Sequence, residues 1–221
     1  MDTYQIWLYA HVLMFVYWLG ADLGVFTLAL ALKNPTYTVE QRALLMRMSL
    51  LIDMTPRAAM ALIAPVGLHL AESLGLVNVP GWLTPIIWVV AFCWIVGEIV
   101  AFRNMGKPIA MRFYMGTGTI MLIACLGFTG FGLKSLLSGA PFLATWLSLK
   151  VFLFGLVFFV SIMMAVFYAP IEAILERLRE QGSTPEIEAD IRSHVNKGAF
   201  FTVVLFLLLA TMGFLGLAKP L

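Results

Sequence analysis

Six apolar stretches run through this 221-residue chain, covering residues 4–32, 54–76, 82–102, 114–137, 141–168 and 199–217. A bilayer core of about 30 Å is crossed by a helix of roughly 20 apolar residues, so each stretch is long enough to span one. Backbone N–H and C=O groups find no partner in hydrocarbon, and a single apolar segment satisfies them only by becoming a helix. The expected fold is therefore all-α: a polytopic membrane helix bundle of six transmembrane helices, one domain over residues 1–221. Composition agrees, with 62% hydrophobic and 12% charged residues, about half the charge of an ordinary soluble domain. A net charge of +2 and the lack of any basic run speak against nucleic acid, leaving the lipid bilayer as the main partner. Met1-Asp2 lacks a basic region and leads into an apolar segment longer than that of a signal peptide, so the first helix is read as retained.

Charged residues cluster between the stretches. Lys33, Arg42, Arg47 and Arg57 flank the first connection; Arg103, Lys107 and Arg112 the third; Arg177, Arg179, Arg192 and Lys197 the fifth. Eleven of the fourteen Lys and Arg thus fall on one side, which the positive-inside rule makes cytoplasmic. Both termini are then expected outside. Within the fifth connection, Ile171, Ile174, Leu175 and Leu178 share one helical face, Gly182 is a stop, Thr184 a cap and Pro185 a first helical residue. Glu186, Glu188 and Asp190 suit the positive end of the following helix. A cytoplasmic helical hairpin at about 171–197 follows, a surface on which a redox partner or partner subunit could dock. The fourth stretch carries Gly116, Gly118, Gly127, Gly130 and Gly132, which predicts close packing and a central place in the bundle. Cys93 and Cys125, on different helices and in no metal-binding spacing, read as packing residues.

Ionisable groups inside a bilayer are costly enough to be functional candidates. Six qualify: His11, Asp22, His69, Glu72, Glu98 and Lys150. At 1.5 Å rise per residue, His11 and His69 each lie ~10 Å, and Lys150 ~12 Å, from the outer ends of their helices. Three helices thus place His, His and Lys at one level. Two histidines at equal depth on neighbouring helices can hold a metal, and in a helix bundle the usual occupant is haem b. His11, Phe15, Trp18 and Asp22 form one helical face. Gly20, Gly24 and Gly67 leave room beside the histidines, and Pro65 sits one turn before His69. Lys150 and Arg57 could meet propionates or pair with Glu72, Asp22 and Glu98. Asp22 and Glu98 also fit a structural ion pair with Arg57 or Arg103, and His194 reads as a surface histidine. His11 and Met14 at i+3 keep copper open as an alternative metal, although most of the thirteen methionines crowd the other side.

The segment from His11 through Trp18-Leu19-Gly20 resembles the opening helix of a group of small membrane proteins that includes copper-resistance D-type proteins and HemJ-type protoporphyrinogen oxidases. Met46-Arg47 through Met54-Thr55-Pro56 to Gly67-Leu68-His69-Leu70 is similar to the group's second helix, and Trp146-Leu147-Ser148-Leu149-Lys150 to its W-L-x-x-K helix. The likeness covers three helices. It implies that His11 and Lys150 are the residues tied to haem and activity, and it implies a bacterial inner (cell) membrane. Asp22-Leu23-Gly24-Val25 stands where the oxidases carry a Pro-Arg pair, so the resemblance implies either electron transfer or a HemJ-like oxidation and does not fix the substrate.

The expectations are then a haem b-binding redox protein, with His11 and His69 as axial ligands (or His11 alone), Trp18 beside the cofactor, and Lys150 on a propionate or an anionic substrate. Bis-histidine ligation would favour electron transfer over oxygen activation. Copper or cation transport, and a non-catalytic subunit docking through its hairpin, are the alternatives.

Overall fold

In the computed structural model, residues 2–142 and 144–220 are described; Met1, Leu143 and Leu221, which the expected domain includes, lie outside them, as does the reading of Met1 as the start of a retained helix. Seven helices follow in order: α1 (Thr3–Ala31), α2 (Val39–Ser73), α3 (Leu83–Arg103), α4 (Pro108–Ser138), α5 (Thr145–Tyr168), α6 (Ile171–Gln181) and α7 (Pro185–Ala218). No strand occurs among the described residues. Six helical segments are long and apolar enough to cross a membrane, the expected number, and the chain is an integral membrane protein. Each sequential pair packs together from α1 to α5, α7 packs on α5, and α7 closes back on α1. The six helices form a ring around a core of Trp18, Met60, Trp94, Phe154, Phe158, Leu205 and Leu209. One end of the ring carries the α1–α2 turn and the α6–α7 hairpin; the other carries the two chain ends.

Local signals set the helix boundaries. Asp2 and Gln5 form a capping box on α1, and Thr38 and Gln41 one on α2, each satisfying two otherwise orphaned N–H groups. The box at Thr38 starts α2 some fifteen residues before the expected span, so the polar stretch with Arg42 and Arg47 is helix and not a loop. α2 then runs unbroken through Pro56 and Pro65. The hairpin follows its sequence signals: α6 stops at Gly182 (φ 75°), and the Thr184 hydroxyl accepts from the Ile187 N–H ahead of Pro185.

Ile171, Ile174, Leu175 and Leu178 are buried against Leu32, Ile187, Ile191 and Val195. The apolar face of α6 is thus used up by the protein itself. Arg42 of α2 reaches the same place. Its Nη1 and Nη2 donate to Glu188 Oε2 and Oε1 at 3.1 and 2.9 Å, Ser183 Oγ adds a bond to Oε1 at 2.8 Å, and the Arg42 side chain is 1% exposed. His194 is no ordinary surface histidine: its Nδ1 lies 3.1 Å from the carbonyl of Phe167, in the last turn of α5, where helical carbonyls lack partners.

Two packing expectations need correction. α4 is the least buried of the spans, and at Gly116, Gly118, Gly127 and Gly130 an added Cβ would meet nothing within 4 Å. Only Gly132 makes a close approach, its missing Cβ leaving space for the backbone of Phe152 on α5, while Gly155 of α5 does the same for Thr129. The small residues therefore seam α4 to α5 at one crossing and do not make α4 central. Cys93 is exposed on the bundle surface, so only the half-buried Cys125, packed on the core, serves as a packing residue.

Candidate functional site

The register of α1 against α2 positions the first polar layer. The helices run antiparallel, with Trp7 against His69, His11 against Gly67 and Gly24 against Ile52. The imidazole of His11 occupies the space a Gly67 side chain would need: a Cβ there would lie 3.0 Å from its Cε1 and 3.3 Å from its Nδ1. His11 Nδ1 is buried and has no hydrogen-bond partner. α7 borders the same level through two glycines. Phe15, one turn along α1 from His11, packs on Gly213, and Lys150 Nζ of α5 lies 2.8 Å from where a Gly216 Cβ would stand. Lys150 makes no ion pair with any carboxylate among the described residues. Phe15 and Lys150 thus meet α7 at glycines three residues apart, Gly213 and Gly216, which puts His11 and Lys150 at one level of the bundle.

His69 belongs to a neighbouring cluster. Trp88 Nε1 of α3 donates to His69 Nε2 at 3.1 Å. An indole N–H only donates, so Nε2 carries the lone pair and a neutral ring holds its proton on Nδ1. That atom lies 3.5 Å from Glu72 Oε2, one turn on. Trp7 stacks on the ring face, centroids 4.2 Å apart and planes inclined by 11°. Both nitrogens and one face of His69 are thus engaged. Trp18 sits ~10 Å further along α1, 2% exposed and edge-on to Phe154, in the core and not at the histidine level.

A second polar layer lies toward the hairpin end, ~16 Å from His11 along α1. Arg57 Nε donates to Asp53 Oδ2 at 2.6 Å and its Nη1 to Glu98 Oε2 at 2.9 Å. Trp94 Nε1 donates to Glu98 Oε1 at 3.2 Å. The expected pairing of Glu98 with Arg57 is present. Asp53 was not among the sequence candidates, although its i, i+4 spacing to Arg57 was the available signal. Asp22, 4% exposed, faces this layer with its Oδ2 unpartnered.

Haem b presents an iron that takes an imidazole nitrogen, an apolar plane and two carboxylates. The donors fit at His11, which has a buried nitrogen to offer, and at Lys150, which lacks a counter-ion. The groove of about 360 Å³ on the α1–α2 seam, lined by residues such as Met14, Met54, Ala58 and Leu62, includes neither His11 nor Lys150 in its lining, so the fit rests on the donors alone. The fit does not extend to His69 as a second ligand, because Trp88 already holds the nitrogen that would have to coordinate. Among the described residues no group of three or more His, Cys, Asp or Glu side chains comes together as a metal cluster. Comparison of the chain with protein-family models, curated proteins and solved structures finds no match.

Proposed function

We propose that this protein is a haem b-binding membrane redox protein in which His11 is the single protein ligand and Lys150 pairs with a propionate. The observation that carries the reading is a buried imidazole nitrogen without a partner at the same level of the bundle as an intramembrane ammonium that forms no ion pair among the described residues. Each is unfavourable alone in a low-dielectric setting, and one ligand that combines a metal with carboxylates relieves both. The resemblance of the His11–Gly20 and Trp146–Lys150 segments to HemJ-type and copper-resistance D-type proteins points to the same two residues. With the basic residues inside, the layer lies in the outer half of a bacterial inner membrane.

Bound haem, held by His11 and Lys150, would supply one-electron redox chemistry. The protein's part is to hold the iron through His11, to neutralise a carboxylate with Lys150, and to keep the site dry with Trp7 and Phe15. His69, proton on Nδ1 toward Glu72, orients Trp7 and Trp88 and is not a ligand.

Titration of the full-length apo-protein in detergent with haem b tests the assignment. Saturable binding at one haem per chain is expected, abolished in His11→Ala and weakened about tenfold, roughly 1.4 kcal/mol, in Lys150→Met, with Lys150→Arg restoring most of it. Equal binding by wild type and His11→Ala, or none by wild type, contradicts the reading.

A further inference from the structure

The second polar layer holds three carboxylates, Asp22, Asp53 and Glu98, and one guanidinium, Arg57. Arg57 spends its Nε on Asp53 and its Nη1 on Glu98. Asp22 comes from the other side of the seam, on α1. It is 4% exposed and its Oδ2 has no partner. Gly24, two residues on from Asp22, packs on Ile52, so the register of α1 on α2 sets Asp22 at the level of Asp53 and Arg57. α7, the other helix packed on α1, has no titratable residue between Lys197 and Lys219. With every group ionised the layer would carry a net charge of −2 inside the membrane span, and Asp22 would add a negative charge to a network whose one guanidinium already donates to two carboxylates. Like-charged carboxylates sharing a buried site do not all stay ionised.

We propose that Asp22 is a proton-binding site, its carboxyl taking one proton from the hairpin side and holding it against the Asp53–Arg57–Glu98 network. The ligand is H⁺: a new O–H bond forms on the Asp22 carboxylate, water at that face gives up the proton, and no electrons move. Asp53, whose side chain is 20% exposed, is the more accessible carboxylate and the neighbour through which the proton arrives. The site lies ~16 Å from His11, so the proposal stands whether or not haem is bound there. Its consequence is that a charge change in the first layer can be balanced by proton uptake in the second, on the side where the basic residues gather.

Infrared spectroscopy of the full-length protein in lipid at neutral pH tests this. A protonated carboxyl shows a C=O stretch clear of the amide bands. One such band per chain is expected, shifted down in D₂O and lost in Asp22→Asn. Because Asn reproduces the shape and charge of a protonated carboxyl, Asp22→Asn is also expected to melt at or above the wild-type temperature. Absence of the band from wild type, or a band unchanged in Asp22→Asn, overturns the proposal. So does a clear drop in melting temperature for Asp22→Asn, which would mark Asp22 as an ionised partner of Arg57. A band seen only when sodium is withheld would assign the site to a metal cation and equally overturn it.

Discussion

Glu188→Ala is expected to loosen the α6–α7 hairpin from the bundle at a loss of about 3–5 kcal/mol, the usual result of leaving one member of a buried ion pair alone. The effect is large because Arg42 is 1% exposed and its two terminal nitrogens both end on Glu188. With the carboxylate removed, the guanidinium loses both partners of its terminal nitrogens and is left beside a pocket lined by residues such as Thr38, Glu40, Leu178 and Ser183. Arg42→Ala should cost a similar amount by stranding Glu188 with only the Ser183 hydroxyl. The double variant Arg42→Leu/Glu188→Leu should recover most of the loss, since desolvating the pair offsets much of its attraction. Thermal unfolding in detergent reads the ordering, and limited proteolysis at Gly182-Ser183 reads the local opening. Single variants that melt with wild type would show that the hairpin is held by its apolar face alone.

Gly155→Ala and Gly132→Ala are expected to destabilise by about 3 kcal/mol each, near the upper end of what overpacking does. In both positions the added carbon would run into backbone or a short side chain of the facing helix, Thr129 in one case and Phe152 in the other. Neither neighbour can rotate away, so α4 and α5 must separate and lose the contacts that hold α4, the least buried span, in place. Gly130→Ala, on the same helix but facing open space, should do the reverse and stabilise by about 0.5–1 kcal/mol through helix propensity. Melting temperatures of the three variants decide it. Equal effects at Gly130 and Gly132 would mean that helix propensity, not the close crossing, governs this seam.

The spans were legible because lipid leaves a chain few options: an apolar run of sufficient length must be a helix, whatever its neighbours. The hairpin was legible for a different reason, since Gly182, Thr184 and Pro185 are local signals read without tertiary knowledge. Depth in the membrane also follows from counting residues, which is why His11 and Lys150 were placed at one level before any contact was known. Depth does not give azimuth. His69 shares that level yet is engaged between Trp88 of α3 and Trp7 of α1, and no periodicity on α2 alone distinguishes that direction from the one facing His11. The glycines of α4 mislead for the same reason: their spacing suits close packing, but which side of a helix meets a neighbour depends on ring order, and only Gly132 faces α5 at the crossing. Asp53 is hidden for a related reason: it stands just before the apolar run that begins at residue 54, and only the capping box at Thr38 makes the polar stretch before it part of the same helix.

The absorption spectrum of the full-length protein purified from membranes in mild detergent, oxidised and then dithionite-reduced, bears most directly on the His11–Lys150 assignment. A Soret band that shifts on reduction is expected in wild type, retained in His69→Ala and absent from His11→Ala. A wild-type sample with no Soret band, or one whose band survives loss of His11, would contradict it.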